Sequence, residues 1–537
     1  MTHLRHVNIL NHSRIADVEL DVRDHLILVG PNDSGKSSIL RCLDLLLGSS
    51  VSQLYSRMTA ADFRNPDQPL VIEALFSDIS NADKALFPLE IHVDSATQDL
   101  SLLIRLKAEA ALDGTLSINR TAPDGGTRLQ LSQAQLQGIG WKLLNANSST
   151  RELRDDRRSA VDEILTTLDL GDERNLFTEQ IEALQTLLNK SGTLNDLKKK
   201  LSIQLTRALP QPVTQDDLAF MTGASTDDDP LDGVRLRVRS EDTTKSLSEQ
   251  SDGVKAMYAI ALYDLISETA NIVAIDEPEV HLHPASQRSL ARLLNNNKNQ
   301  RVLATHSPDI LGAFPADCVA SIQRDGSVKQ PPKGFQTVQD REAVRWWVPN
   351  RLEPLTSAHV IAVEGISDRI VVQATAEAIG RNLDQHGVSL VELGGGGDAG
   401  PIHRLFGPSG FDLPLSILID KDYEQKTASA IGVSCADLPA HGVWVEPVDL
   451  EHEYVTALGA DPCWQAIQAS GLFSSNELAN CEAHDPSIPA TVTNIAAFCR
   501  RKSDYKVRAA MAIARLINAT IAVAMPTVHG LVIKATS

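Results

Sequence analysis

Aromatic residues are scarce: Phe, Trp and Tyr make up 4% of the 537 residues, so the cores must be packed mainly with Leu, Ile, Val and Ala. The six cysteines, Cys42, Cys318, Cys435, Cys463, Cys481 and Cys499, form no C-x-x-C pair. That excludes the usual zinc ribbon and dithiol redox motif and fits a reducing compartment. No apolar run approaches the roughly 18 residues of a spanning helix, and MTHLRHVNILNHSRIADVEL has no signal-peptide core. A soluble cytoplasmic enzyme with no membrane partner is expected. Positive charge is in the minority, with 50 Lys and Arg against 69 Asp and Glu, a net charge of −19. A passive nucleic-acid coat would be basic. An enzyme that reaches DNA through local basic patches and bound metal ions is not excluded. What is present is ordinary globular material, 42% apolar and 22% charged, long enough for about three to four domains of about 150 residues. Such a chain buries full cores without covalent or metal staples.

Along the chain, HLILVG (His25 to Gly30) reads as a short buried strand, and KSSILRCLDLLL (Lys36 to Leu47) as a helix stopped by Gly48. PLVIEALF, LSLLIRLKAEA and GTLSINR within residues 68–120 read as antiparallel strands, with Asp113-Gly114 as a turn. From about 130 to 210 the period turns helical: Ile181, Leu184 and Leu188 share one face, as do Leu194, Leu197 and Leu201. Residues 211–232 read as an acidic loop. KQPPKG (Lys329 to Gly334) marks a linker, and a second α/β unit starts near His359 and ends in a helical region.

Gly30-Pro31-Asn32-Asp33-Ser34-Gly35-Lys36-Ser37 matches G-x-x-x-x-G-K-S/T between a strand and a helix, the context of a phosphate-binding loop. Its backbone N–H groups, with Gly30, Asn32, Gly35 and Ser38, are expected to cradle the phosphates of ATP. Lys36 would reach the β- and γ-phosphates, and Ser37 would hold Mg²⁺. The partner motif is NIVAIDE (Asn271 to Glu277), an apolar strand ending in two carboxylates. Asp276 suits the Mg²⁺ shell, and Glu277 suits polarising the attacking water. Another strand, RVLAT, ends at His306, a third expected catalytic group.

This set resembles the ATP-binding-cassette ATPases, and within them the RecF/SMC-like branch, on Asp276-Glu277-Pro278-Glu279-Val280-His281-Leu282-His283-Pro284. The resemblance implies a signature helix before NIVAIDE, where Leu247 to Gly253 (LSEQSDG) lies. Ser251 with Gly253 would then grip the ATP of an opposite subunit, which implies at least a homodimer. Roughly 240 residues separate Lys36 from Asp276. That is more than a plain cassette needs and less than coiled-coil arms require.

In the second unit, VIAVEGISD (Val360 to Asp368) is a strand followed by Glu364 and Asp368, and LSILI (Leu415 to Ile419) is a strand followed by Asp420-Lys421-Asp422. One Glu after a first strand and Asp-x-Asp after a later one is the Toprim pattern. In a parallel sheet these groups converge at the carboxyl ends of the strands. Gathered carboxylates need cations, and Mg²⁺ or Mn²⁺ suits oxygen ligands. Two such ions can stabilise both the attacking and the leaving oxygens of a phosphodiester.

A cassette ATPase followed by a Toprim domain resembles the OLD (overcoming lysogenization defect) family of nucleases, an architecture shared by Gabija-type nucleases. The resemblance implies that Glu364, Asp368, Asp420, Asp422 and a later acidic residue, Glu451 or else Glu453, bind two divalent ions. It also implies a lysine after that cluster, matched by Lys506. Relatives often carry Glu where Asp368 stands. Arg500-Arg501-Lys502 is a candidate for holding the DNA backbone. The expected layout is α/β throughout. An ATPase lobe at 1–130 is followed by a helical, dimerising insert at 131–210, a second ATPase lobe at 211–330 and a linker at 331–357. A Toprim nuclease domain with a helical C-terminal region occupies 358–537. The expected function is an ATP-regulated, metal-dependent DNA endonuclease of antiviral defence, with a separately encoded helicase as a further expected partner. The alternative is a RecF/SMC-like repair ATPase whose Toprim unit only binds DNA. A Toprim primase is disfavoured by the missing cysteine motifs, and a transporter subunit by the second acidic site.

Overall fold

The chain's apolar runs sort into two kinds of strand, fully buried and half-buried, and these build different sheets. A computed structural model describes residues 2–111, 115–125, 129–145, 183–184, 186–208, 211–222, 234–240, 243–246, 254, 257, 271–280, 282–295, 299–335, 353–395 and 398–537. They form two units, Met1–Ala320 with Asp325–Val328, and Ser321–Arg324 with Lys329–Ser537.

The strands that lie wholly or partly in the first unit are β1 (His3–Leu10), β2 (Val18–Asp21), β3 (Leu26–Val29), β4 (Leu70–Ser77), β5 (His92–Val93), β6 (Leu100–Ala110), β7 (Leu116–Thr121), β8 (Trp141–Asn145), β9 (Leu218–Thr222), β10 (Val234–Ser240), β11 (Thr243–Ser246), β12 (Ile272–Asp276), β13 (Gln300–Ala304), β14 (Val319–Ile322) and β15 (Val328–Lys329). An antiparallel sheet runs β2-β1-β4-β6-β5, with β7 also on β6. β4 alternates buried and half-buried residues along its whole length, as a sheet with one solvated face requires. A second sheet runs β15-β14-β3-β13-β12-β8. Here β3 and β13 are buried at every position, as expected of strands covered on both faces.

Two readings of the sequence are corrected. The segment 131–210 is not wholly helical: after a short helix, Gln133–Ile139, β8 adds to the sheet edge in parallel with β12, Trp141 opposite Ile272. Its pairing partner lies about 130 residues away, so no local periodicity could announce it. Trp141 Nε1 also donates to Asp44 Oδ1 at 3.1 Å, tying the strand to the Lys36–Leu47 helix. In the described helical part, Gly192–Ala208, the buried residues are Leu201, Leu205 and Ala208, while Leu197 is exposed. The segment 211–232 is not simply a loop either, because β9 pairs antiparallel with β10 in a three-stranded sheet. Within the expected linker 331–357, Leu355 is fully buried, so packing of the second unit begins before His359.

The second unit holds a parallel sheet, β17-β16-β18-β19, built from β16 (His359–Val363), β17 (Val388–Glu392), β18 (Leu415–Ile419) and β19 (Val443–Val445). Helices Ser503–Ile513 and Pro526–Ala535 pack on helix Ile366–Ala378. The scarce aromatics are concentrated here: Phe498 lies 5.5 Å from Trp464, 5.3 Å from Phe473 and 5.2 Å from Tyr505, measured between ring centroids. Edge and tilted contacts of this kind add to area burial. Among the described residues no helix is long and apolar enough to cross a membrane.

A fully buried arginine braces the first unit. Arg120 on β7 is fully buried, and its Nη1 donates to the carbonyls of Leu45 (3.2 Å), Leu46 (3.0 Å) and Ser49 (2.8 Å). These belong to the last turn of the Lys36–Leu47 helix and its exit, where carbonyls lack helical partners and the dipole favours a cation. Arg120→Met should cost about 2–4 kcal/mol, the scale of stranding buried carbonyls and losing charge-assisted bonds. Urea denaturation of the full chain measures it, and an unchanged midpoint would remove the bracing role.

Candidate functional site

The phosphate-binding loop, the carboxylate pair and His306 leave the ends of adjacent parallel strands. Leu28 lies opposite Ala304, and Ala304 opposite Asp276. Gly35 has φ +99°, and a Cβ there would sit 3.1 Å from the Arg14 carbonyl, so both the backbone and the packing require glycine. Ser37 Oγ donates to Asp276 Oδ1 at 3.0 Å. Lys36 is buried, and its Nζ donates to the carbonyls of Gly30 (3.0 Å) and Pro31 (2.7 Å). Burial lowers its pKa, against the pull of Glu277 and Asp276. Burial raises that of Asp276. A cleft of about 770 Å³ is lined by Asn32, Lys36, Ser37, Ser38, Glu277 and His306. His306 Nε2 lies 3.9 Å from Glu277 Oε1. Glu277 has φ +49°, an uncommon conformation for a non-glycine residue, fixed by its N–H donating to the Ala304 carbonyl at 2.9 Å.

Two residues were not assigned from sequence. Arg14, between β1 and β2, lines the same cleft. A lone arginine in a turn carries no motif, so only its approach to Gly35 reveals it. Glu279 accepts from Thr305 Oγ1 at 2.8 Å and from the His306 N–H, holding the turn that carries His306. Burial raises its pKa. The expected signature residues Ser251 and Gly253 lie outside the described residues, as does the whole segment 146–182.

In the second unit Glu364 follows β16, Asp420 follows β18 and Glu446 follows β19. The Asp420 N–H donates to Glu364 Oε1 at 3.0 Å, and the Leu450 N–H donates to Asp420 Oδ1 at 3.3 Å. Glu451, 1% exposed, sits in the first turn of helix Leu450–Leu458. Lys506 Nζ, on helix Ser503–Ile513, lies 3.4 Å from Glu451 Oε2 and 3.7 Å from Asp420 Oδ2. Glu453 instead turns to the Pro526–Ala535 helix, accepting from the Thr527 N–H at 2.7 Å. Asp368 is buried with Ser367 Oγ donating to it at 3.0 Å. Asp422 is exposed on the turn Lys421–Tyr423. Arg500 is drawn to Asp449, the cap of helix Leu450–Leu458, rather than standing free.

Burial pushes Glu364 and Glu451 up to about 7 and Asp368 up to about 6; Asp420 adds to all three, and Lys506 opposes. Burial alone would lower Lys506, but Glu451 and Asp420 outweigh it and hold the ammonium above its ordinary range. Glu446 was missed in the sequence. It is 1% exposed, and burial together with the neighbouring Glu453 carboxyl raises its pKa strongly. Its position directly after an apolar strand, VWV, is the signal that matches Glu364 and Asp420. Among the described residues no three of these groups close a finished cation cage. The donor set nevertheless fits one: all oxygens, mostly buried.

The family model described as an AAA domain, putative AbiEii toxin, type IV TA system, matches residues 26–312. That of the overcoming lysogenization defect protein-like TOPRIM domain matches residues 355–422. The chain is 23% identical over 458 residues to the OLD nuclease of Thermus scotoductus, covering 78% of this chain and 82% of that protein. It is 20% identical over 476 residues to the Old nuclease of Escherichia phage P2, covering 78% and 77%. A solved C-terminal region of the Xanthomonas campestris pv. campestris OLD protein is 22% identical, covers 34% of this chain and 96% of its own, and has a TM-score of 0.28.

Glu279→Ala should leave ATP binding near wild type and lower turnover by about tenfold to hundredfold, the scale of a displaced catalytic group. Steady-state phosphate release measures this, and an unchanged kcat would show that the turn holds His306 without Glu279.

Proposed function

The chain belongs to the AAA-domain family, joined to an OLD-like Toprim domain, and from that premise we propose an ATP-regulated, divalent-metal-dependent DNA endonuclease that acts in the cytoplasm against phage or other foreign DNA. The observation that carries this reading is the position of Lys506 Nζ, 3.4 Å from Glu451 and 3.7 Å from Asp420 at the carboxyl edge of a parallel sheet. A preorganised cation beside buried carboxylates is what phosphodiester cleavage needs.

At this site Glu364, Asp368, Asp420, Asp422 and Glu451 would hold two Mg²⁺ or Mn²⁺ ions, which supply charge neutralisation and stabilise the attacking and leaving oxygens. Asp420 is fixed by the backbone N–H of Leu450 and fixes Glu364 through its own N–H. Lys506 offsets charge on the phosphate as it becomes pentavalent, and the buried surroundings strengthen that contact.

At the nucleotide site Lys36 would bind the β- and γ-phosphates, and Ser37 and Asp276 would hold the nucleotide's Mg²⁺. Glu277 orients and polarises the attacking water, and His306 beside it contacts the γ-phosphate end of the cleft. Ser251 and Gly253 of a second copy complete the site, so the working unit is at least a homodimer.

Three outcomes are expected. Asp420→Ala abolishes nicking of supercoiled plasmid with Mg²⁺ or Mn²⁺ while ATP hydrolysis persists, and a chelator does the same to nicking in the wild type. Lys506→Ala loses roughly 10²–10³-fold in nicking rate, the scale of one transition-state contact, and Lys506→Arg recovers only part of it because guanidinium geometry differs from a compact ammonium. Glu277→Gln retains ATP but hydrolyses it at least about 10²-fold more slowly. Undiminished nicking by Asp420→Ala would sink the nuclease reading in favour of a repair ATPase with a DNA-binding Toprim unit. For the assembly, light scattering with and without ATP should give a dimer or larger. A monomer under both conditions would remove the shared nucleotide site.

A further inference from the structure

The Toprim sheet has a second edge. The acidic site lies where β16, β18 and β19 end. Where the same strands begin, at His359, Leu415 and Val443, a cavity of about 650 Å³ opens. That volume falls within the range of about 300–1,000 Å³ usual for small-molecule sites. Four imidazoles line it, His359, His386, His403 and His441, together with the ammonium of Lys534. No Asp or Glu side chain does, in a chain carrying a net charge of −19. The rest of the wall is largely proline, leucine and alanine, with Thr536 and Ser537.

The imidazoles are not used up by the fold. His403 and His441 lie with ring centroids 6.0 Å apart, and among the described residues neither makes a side-chain hydrogen bond. His359 Nε2 pairs with Ser416 Oγ at 3.0 Å. His386 Nδ1 donates to the Asn382 carbonyl at 2.7 Å, which leaves its Nε2 bare as an acceptor. Burial holds His359 down at about 4, with Lys534 adding to the effect, and lowers His403 beside His441. The cavity therefore presents imidazole rings with hydrogen-bonding nitrogens to spare, His386 Nε2 as an acceptor and the rings of His403 and His441, beside one fixed positive charge. A transition-metal cation would have to settle beside Lys534, and among the described residues no three metal-ligating groups come together. Among the lining side chains Lys534 carries the fixed charge, so an anion with an apolar body finds a partner there.

We propose that this cavity binds a phosphate-bearing small molecule of nucleotide size. Lys534 and the imidazoles take the phosphate, the proline and leucine faces take the ring, and His386 Nε2 accepts from a hydroxyl or ring N–H. The site is separate from both reaction centres and does not depend on the nuclease reading.

Isothermal titration calorimetry tests it on the full chain carrying Lys36→Ala, in chelator, so that neither the phosphate loop nor a metal-loaded acidic site contributes. Deoxyadenosine monophosphate and inorganic phosphate are the two probes. The monophosphate should bind once per chain and more tightly than inorganic phosphate. Lys534→Met should weaken it by roughly tenfold or more, the scale of one charge-assisted hydrogen bond, and Lys534→Arg should retain most of the affinity. His403→Gln with His441→Gln should weaken it similarly, with melting temperature checked for every variant. Lys534 is exposed, so its replacement should not disturb folding. No heat from either probe at millimolar concentration would overturn the proposal. So would binding indifferent to Lys534→Met and to the double histidine variant. Equal affinity for the two probes would overturn the nucleotide-sized part. Zn²⁺ binding that the double variant abolishes, without phosphate binding, would make the cavity a cation site instead.

Discussion

Carboxyl groups taken out of water at one point repel one another and lose hydration, and the second unit does this with Glu364, Asp368, Asp420, Glu446 and Glu451. The ammonium of Lys506 is the protein's own counterweight, within 4 Å of two of them. One positive charge cannot balance five acids, so the arrangement is stable only with some of them protonated or with cations bound. The rest of the unit serves to keep that unfavourable group in place. Tyr505, next to Lys506, is locked into the aromatic cluster with Phe473 and Phe498, and Arg508 lies over the Phe473 ring at 4.6 Å while pairing with Glu477 and Asp504. Few aromatics are available in the chain, and several are spent behind this lysine.

The first unit solves a related problem with the signs more evenly matched. Lys36 is the buried cation of the cleft, facing Asp276, Glu277 and Glu279. Both units rely on the same geometric property of parallel strands, which deliver the residue after each strand to a common edge. In the first unit that edge gathers the phosphate loop, Asp276 and His306 from β3, β12 and β13. In the second it gathers Glu364, Asp420 and Glu446 from β16, β18 and β19. Arg120 and Glu279 stand behind the reactive groups of the first unit, much as the aromatic cluster stands behind Lys506.

What the sequence determined by itself is whatever is written in contiguous residues. The phosphate loop, NIVAIDE, the apolar strands and Asp-x-Asp were legible as elements because each is a short strand with its polar residues immediately attached. The family match extends over the same stretches. The alternating strands of residues 68–120 were legible for the same local reason, since a period of two needs only a few residues to declare itself. What only the tertiary structure decided depends on partners distant in the chain. β8 is a strand because β12 pairs with it, not because WKLLN favours that state. Arg14 reaches the nucleotide cleft through a turn, Arg120 is buried by a helix end some 70 residues earlier, and Lys506 meets Glu451 across 55 residues of helical region. Glu446 had the local signal, but its significance lies in its burial beside Glu453, and the histidine-lined cavity has no local signal at all. Hydrogen bonds, charge neutralisation and burial are properties of a place, and the sequence names a place only where the backbone has already folded it.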